Sequence, residues 1–319
     1  MELRMRRAAL VCLALASAIL PLQVRAATDP IRSEDARRFA RLIDAGDGLP
    51  DADVLRRQYL EQASPTLQKY LPEYIIDAGK LADAIRADPQ RYVSAARDCL
   101  PMLERMGDEV LAVDARYAAF MPEAQPAEVV LLFGAGNSTG TVVGRRVVLA
   151  LEKVCDGAND EAALRERLRG LVAHEWVHTG QPDPTDADRR DLLAWALREG
   201  AASFLAATVL GQDASASDHA WAMQRESALW RQFQADRATM RAHWPLDAAE
   251  PDAEAVAAGT RWFWNSASAD GRPADLGYWV GQRIAAVWYS RQGDKGEAMR
   301  RLIAMASPDD IVRESGYSP

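Results

Sequence analysis

The sequence predicts an α+β fold that is mainly helical and contains one small β-sheet. Most of the chain is rich in Ala, Leu, Arg, Asp and Glu, with apolar residues recurring at helical spacing. Residues 129–151 differ, because they are rich in β-branched residues and broken by glycines, which indicates strands and turns. A chain of 319 residues can bury a sizeable core, either as one large domain or as a core with an added helical region.

The first 26 residues have the features of a secretory signal peptide. Arg4, Arg6 and Arg7 precede an apolar run at residues 8–20, and residues 24–26 form the small-residue pattern at which such peptides are cleaved. We therefore expect an exported protein, periplasmic or secreted after cleavage.

Neither a membrane span nor a nucleic-acid partner is predicted. No later segment approaches the roughly 18 to 20 uninterrupted apolar residues of a spanning helix. A lipid anchor is the alternative, but Cys12 lies inside the apolar run rather than after it. The signal peptide holds four arginines and one glutamate, so the rest of the chain carries 34 basic and 45 acidic side chains, a formal charge of −11. Nucleic acids and anionic membranes bind basic patches, so this charge argues against both.

Residues 27–116 form a predicted N-terminal helical region with no cluster of catalytic side chains. Pro50, Pro65, Pro72 and Pro89 divide it into four or five helices. The remaining residues, 117–319, contain every candidate for chemistry.

Two cysteines, Cys99 and Cys155, follow the signal peptide. An even number of cysteines in an oxidising compartment favours one disulfide, with two buried free thiols as the alternative. Neither cysteine has the close Cys or His neighbour of a thiolate metal site.

Residues 129–133 form a predicted strand, and residues 141–151 a second one broken at Gly144, with a turn between them. The two strands could pair as a hairpin. The turn also contains the G-x-S-x-G pattern of serine hydrolases, centred on Ser138. That pattern requires a helix after the serine, whereas β-branched residues follow here. A serine hydrolase acting through Ser138 is therefore a minor alternative.

The helical pattern returns after residue 160 and carries two histidines. The stretch LVAHEWVHTGQ places His174 and His178 four residues apart, so both lie on one face of a helix that ends near Gly180. Two imidazoles at this spacing can bind one small cation. Glu175 lies at the edge of the same face, where it can reach a water on the metal. The pattern H-E-x-x-H therefore predicts a metal site.

A catalytic zinc site usually has three protein ligands, so a third ligand is expected. One common solution is a histidine six residues after the second, but Pro184 occupies that position. The other is a glutamate on the next helix, predicted at about residues 189–210, and Glu199 lies there among apolar and small neighbours. A buried carboxylate needs a partner, and a dication is one. A salt bridge to a nearby arginine is the alternative.

These residues resemble a known family. The pattern His174-Glu175-x-x-His178 with Glu199-Gly200 is similar to the glutamate-liganded zinc metallopeptidases, the gluzincins. Among them it resembles a bacterial family of predicted zinc-dependent proteases of unknown substrate. The similarity covers about residues 116–317, and its stretches are FMPEAQPAEVVLLFGAGNSTGT, HEWVHTGQ, LREGAASF, LGYWVGQRIA and ESGY.

The resemblance implies a zincin-like metallopeptidase core at residues 117–319. It implies one Zn²⁺ ion bound by His174, His178 and Glu199. A zinc-activated water would then hydrolyse a peptide bond in a peptide or protein substrate, with Glu175 as general base.

Two further expectations follow from the resemblance. Such enzymes usually hold the substrate as an added strand along a sheet edge, expected here within residues 129–151. The family often has an aspartate four residues beyond the glutamate ligand, where this chain has Ser203. A serine would orient a histidine ligand more weakly. The alternative function is therefore a zinc-binding protein with weak or no activity that acts as a binding or regulatory module.

The oxyanion of the reaction also needs a hydrogen-bond donor opposite the metal. Tyr278, His219 and His243 are the candidates. Tyr278 is preferred because its stretch belongs to the resemblance, and Gly277 and Gly281 would allow close approach to the cleft. A tyrosine packed within the protein is the alternative. Other aromatic residues of this region could form core or line the cleft: Trp262, Phe263, Trp264, Trp279 and Trp288.

Overall fold

The computed structural model consists of helices around one small mixed sheet. It describes residues 29–45, 48–158, 160–212, 220–265 and 272–319. The predicted signal peptide and the candidate residue His219 lie outside these ranges. The mainly helical α+β class is confirmed.

The described residues form four strands and seventeen α-helices. The strands are β1 (Ile31–Arg32), β2 (Glu128–Leu132), β3 (Gly140–Val143) and β4 (Arg146–Ala150). The helices are α1 (Glu34–Ala45), α2 (Ala52–Leu55), α3 (Pro65–Tyr70), α4 (Ala78–Ala87), α5 (Pro89–Ser94), α6 (Leu100–Leu103), α7 (Gly107–Phe120), α8 (Leu151–Val154), α9 (Glu161–His178), α10 (Asp186–Arg189), α11 (Leu192–Leu210), α12 (Ala220–Met223), α13 (Glu226–His243), α14 (Ala253–Thr260), α15 (Leu276–Ser290), α16 (Lys295–Ile303) and α17 (Pro308–Ser315). Three π-helical segments continue α2, α3 and α5: Arg56–Leu60, Leu71–Ile75 and Ala95–Cys99.

The sheet has the strand order β1-β2-β4-β3, so β3 is an edge strand. Strand β2 runs parallel to β1 and β4, whereas β3 runs antiparallel to β4. The predicted second strand is thus two strands that meet at Gly144, whose φ of +65° suits glycine. A hairpin between residues 129–133 and 141–151 is therefore not formed, and the hairpin lies within the second stretch. Strand β2 instead pairs in parallel with β4, and both are mostly buried, as parallel strands usually are.

The N-terminal helices and the sheet share one hydrophobic core. Phe39 of α1 stacks on Phe133, the residue after β2, with ring centroids 4.1 Å apart. The Tyr59 hydroxyl donates a hydrogen bond to the Phe133 carbonyl and accepts one from its amide. Six continuous helices lie between β1 and β2 in the described residues, rather than the predicted four or five, and α3 continues across Pro72. The boundary between residues 116 and 117 stays a prediction, and α7 runs across it.

Cys99 and Cys155 form a disulfide, with Cα atoms 6.1 Å apart. Cys99 ends the π-helical segment after α5, and Cys155 follows α8. The bond therefore ties the N-terminal helices to the segment that leads from the sheet into α9.

Helix α11 lies between α9 and α15 at the centre of the C-terminal half. Among the described residues, it is the one helix long and apolar enough to cross a membrane by length and composition alone. Two-thirds of that helix is buried within the molecule, as expected for a core helix.

Candidate metal site

Helix α9, which carries the H-E-x-x-H residues, is held in place by α7. The buried Tyr117 hydroxyl of α7 donates a 2.7 Å hydrogen bond to the Ala173 carbonyl. The Tyr117 ring also stacks on Trp176, with centroids 3.9 Å apart. These contacts fix the rotation of α9 about its axis, so that its histidines face α11.

The donor atoms of His174, His178 and Glu199 converge on one point. The two histidine Nε2 atoms are 3.1 Å apart. A Glu199 carboxylate oxygen lies 3.4 Å from Nε2 of His174 and 3.3 Å from Nε2 of His178. In a tetrahedral site with metal–ligand bonds of about 2.0–2.1 Å, neighbouring donors lie about 3.3–3.4 Å apart. The donor set and its spacing therefore fit one zinc ion.

The hydrogen bonds of Gln181 determine which nitrogen of His178 faces the cluster. The Gln181 amide nitrogen donates to the Arg198 carbonyl, which can only accept. Its amide oxygen therefore faces His178 Nδ1, 2.7 Å away, and that nitrogen must be the donor. The lone pair of Nε2 is left free for a metal. The sequence pattern does not predict a role for Gln181. Its position three residues after the second histidine is the one signal that could have indicated its contact with His178.

Ser203 sets the orientation of His174 in the same way. The Ser203 hydroxyl donates to the Glu199 carbonyl and lies 3.4 Å from His174 Nδ1. It can thus accept from Nδ1, which again leaves the Nε2 lone pair facing the cluster. This contact is long, which agrees with the expectation that serine orients the histidine only weakly.

When both imidazoles are neutral, their Nε2 lone pairs and the Glu199 carboxylate therefore face one another. Such donors repel one another unless a cation lies among them. Burial opposes ionisation of Glu199, but where protons take the place of a cation, hydrogen bonds from His174 and His178 hold the pKa of its carboxyl well below its usual range. The carboxylate thus stays charged, as a zinc ligand must be.

The position of Glu199 depends on how the N-terminus of α11 is held. Asp191 caps this helix by accepting a hydrogen bond from the Leu193 amide. Arg237 binds both oxygens of the Asp191 carboxylate at 2.7 Å, and Arg241 adds a third bond at 2.7 Å. A bidentate arginine fixes direction as well as distance, so the start of α11 is anchored to α13.

Glu175 lies beside the cluster with its carboxylate buried. Its side chain is 7% exposed, and within the described residues no group donates a hydrogen bond to it. Gly140, the first residue of β3, is so close that a Cβ there would lie 2.8 Å from the Glu175 carboxylate oxygen. Burial raises the pKa of Glu175, and the charge of Glu199 adds to the rise, against the opposing influence of His174 and His178. A carboxylate with a raised pKa and no partner is suited to accept a proton.

Helices α11 and α15 cross at two glycines. A Cβ on Gly281 would lie 1.6 Å from the Ala196 carbonyl oxygen, and one on Gly200 would lie 2.2 Å from the Gly281 carbonyl carbon. Backbones in such contact leave no room for a side chain. Because Gly200 follows Glu199 and Gly281 lies three residues after Tyr278, the crossing brings the side chains of these two predicted site residues together.

Tyr278 lies next to the predicted metal ligands. Its ring centroid is 6.4 Å from that of His174, and the side chain is half-buried. Burial, followed by the negative charges of Glu199, Asp275 and Glu175, raises the pKa of Tyr278. Its hydroxyl therefore remains protonated and can donate a hydrogen bond at the site.

The two glycines beside Tyr278 do not open the cleft, contrary to our expectation. Gly277 packs against the Phe263 ring, where a Cβ would lie 2.2 Å from Cζ. Gly281 packs against α11. Both glycines therefore serve packing, because neither position has room for a Cβ.

The two other oxyanion candidates do not join the cluster in the described residues. His219 lies outside those residues. His243 Nδ1 is 2.8 Å from an Asp252 oxygen in an exposed pair, within a separate group of possible ligands. Tyr278 is thus the candidate that the fold brings next to His174.

Ser138 lacks the surroundings of a nucleophile. Its hydroxyl donates a 2.9 Å hydrogen bond to the Gly140 carbonyl. Strand β3 follows it, whereas the G-x-S-x-G pattern requires a helix. The stretch is a turn that leads into the edge strand.

The aromatic residues that the sequence singles out near the C-terminus differ in exposure and fall into three groups. Trp262, Phe263, Trp279 and Trp288 are at most 2% exposed and belong to the core. Tyr278 is half-buried at the metal site. Trp264 differs from all of these because it is 69% exposed.

Comparison with known proteins adds no family to this description. No family model, curated protein or solved structure matches the chain. The site must therefore be interpreted from its own residues and their geometry.

Proposed function

We propose that the protein is an exported zinc-dependent peptidase of the gluzincin type, with a zincin-like core. One observation carries the proposal: the donor atoms of His174, His178 and Glu199 converge on one point, at the spacing of a tetrahedral zinc site. The buried Glu175 beside them has no other described partner. A purely structural cluster has no need of that second carboxylate.

Bound zinc would lower the pKa of a water molecule toward 7 and polarise a substrate carbonyl. Glu175 would accept a proton from the attacking water and pass it to the leaving amine nitrogen of the peptide bond. The Tyr278 hydroxyl would donate a hydrogen bond to the oxyanion. Gln181 and Ser203 would keep the two imidazoles in the required tautomer.

The position of β3 supports a peptide as substrate. It is an edge strand that begins at Gly140, in contact with Glu175. An extended peptide added to this edge would run past the proposed base, with main-chain hydrogen bonds that do not depend on its sequence. The four residues of β3 are partly exposed, as such a role requires.

Export is supported by the Cys99–Cys155 disulfide, because such bonds persist mainly in oxidising compartments.

Metal analysis of the purified protein, combined with E175Q, tests this function. We expect about one zinc per chain in both proteins, and loss of cleavage of unfolded casein in E175Q only. Removing a general base typically lowers the rate by about 100- to 10,000-fold. E166Q is the matched control, because Glu166 is exposed on the same helix. A wild-type protein without zinc at neutral pH would contradict the proposal.

A zinc-binding module without activity is the second candidate, and the long contact from Ser203 to His174 favours it. The same experiment separates the two functions. Zinc in both proteins with no cleavage by either would support the module.

A further inference from the structure

Trp264 is the one exposed aromatic side chain in the described part of the chain. Its φ is +55°, in the left-handed region that bulky residues rarely adopt. The backbone on either side is fixed, since Phe263 is buried and Asn265 exchanges two hydrogen bonds with Asp275. Strained residues of this kind concentrate at ligand sites. An exposed tryptophan held in this way therefore needs an explanation beyond packing.

Trp264 belongs to a continuous row of rings that begins at the metal site. Tyr278 packs against His174, and Phe263 lies 5.9 Å from Tyr278. Trp264 follows at 5.7 Å from Phe263, and Trp195 lies edge-on to Trp264 at 5.4 Å. We call Tyr278, Phe263, Trp264 and Trp195 the aromatic row.

Trp195, the last residue of the aromatic row, lies on the same helix as the predicted ligand Glu199. Trp195 lies four residues before Glu199 and so on the same face of α11. Its indole nitrogen donates to the Arg189 carbonyl, which fixes the ring. Trp195 also lines a shallow depression whose exposed surface is mostly apolar. Its other lining residues are Pro182, Pro184, Ala194 and Met305, together with the charged residues Asp183, Asp188 and Arg198.

We propose that Trp195 and Trp264 form a binding subsite for a large apolar side chain of the peptide substrate, near the bond to be cleaved. This inference rests on the proposed peptidase function. A peptide across Glu175 and the metal ligands would pass near Trp195, which lies one helical turn before Glu199 on α11. The indoles of Trp195 and Trp264, which contact each other edge-on, present apolar area at little cost in side-chain entropy, which suits aromatic and large aliphatic side chains. The enzyme would thus prefer substrates with Phe or Leu at this position over Ala.

The test is peptide binding to E175Q protein, which would leave the peptide intact. The probes are two fluorescein-labelled Gly-Ser peptides that differ only in a central Phe or Ala, followed by fluorescence anisotropy. We expect the Phe peptide to bind about 10-fold or more tightly than the Ala peptide, and W264A to abolish that difference. Binding of the Ala peptide should change less than about twofold.

Two further variants keep the outcome interpretable. W264G also removes the ring, and it relieves the positive φ, so it should fold at least as well as the wild type. W221A is the matched control, because Trp221 packs on Arg225 and lies outside the aromatic row. Equal binding of the two peptides, or a Phe preference that survives W264A and W264G, would overturn the inference. Failure of the proposed peptidase function is detected separately, by absent zinc or by unchanged cleavage in E175Q.

Discussion

At the scale of single residues, the direction of each lone pair decides what the histidine cluster can bind. His178 could bind a metal through Nε2 only while its proton stays on Nδ1, and Gln181 holds it there through a 2.7 Å contact. The amide of Gln181 has no freedom to turn, because its nitrogen is bound to the Arg198 carbonyl. One glutamine thus links the end of α9 to α11 and would prepare the proposed site for a metal.

Gln181→Ala should therefore weaken zinc binding while leaving the ligands in place. Loss of a group that orients a ligand typically lowers metal affinity about 10- to 100-fold. Competition with a chromogenic zinc chelator measures the change. Gln62→Ala is the control, since Gln62 makes the same kind of amide-to-carbonyl bond on the exposed surface of the N-terminal region. Equal affinity in Q181A and the wild type would show that Gln181 does not orient His178.

At the scale of secondary-structure elements, the crossing of α11 and α15 positions Glu199 and Tyr278 together. Glycine within a helix is less stable than alanine by about 1 kcal/mol, so helix propensity alone favours alanine at position 281. However, an alanine Cβ at position 281 would lie 1.6 Å from the Ala196 carbonyl oxygen, which is too close for the two atoms to coexist. The steric effect dominates because the helices would have to separate.

Gly281→Ala should lower the free energy of unfolding by about 1–3 kcal/mol or more, the usual cost of overpacking. Gly170→Ala is the matched control, because Gly170 lies inside α9 and an alanine Cβ there would have no neighbouring atom within 4 Å. That variant should gain about 0.5–1 kcal/mol. Urea denaturation of the three proteins measures both effects. A G281A protein as stable as G170A would contradict the close crossing.

Local spacing predicts some parts of the site and not others. The four-residue repeat of His174 and His178 follows from helix geometry, and Glu199 stands out as a charge on an apolar face. By contrast, Gly140 contacts Glu175 only because β3 folds back along α9, a contact between residues far apart in the chain. The spacing of apolar residues along the sequence does not predict such a contact. The contact of Gln181 similarly depends on the path of the chain after α9 ends.

At the scale of the whole molecule, the strand order of the sheet also depends on contacts between residues far apart in the chain, so the sequence did not predict it. The period of residues 129–151 predicts strands, but strand partners depend on contacts that span the fold. The parallel pairing of β2 with β4 requires the chain to pass through β3 first, and β1 joins from the N-terminus. The N-terminal helices thus pack on the sheet whose edge strand lies next to Glu175, and the stability of the two halves should be coupled.

The disulfide is the covalent part of this coupling. Cys99 and Cys155 are 56 residues apart in sequence, and closing a loop of that length in the unfolded chain contributes about 4 kcal/mol to stability in the chain-entropy model. The variant C99S/C155S should lose up to that amount in urea denaturation, with its zinc content unchanged at low denaturant. Dithiothreitol should lower the unfolding midpoint of the wild type in the same way and leave the double variant unaffected. If the two proteins unfold at the same urea concentration, the disulfide does not join the two halves as described. If the variant loses zinc while still folded, the bond also positions α9, which begins shortly after Cys155.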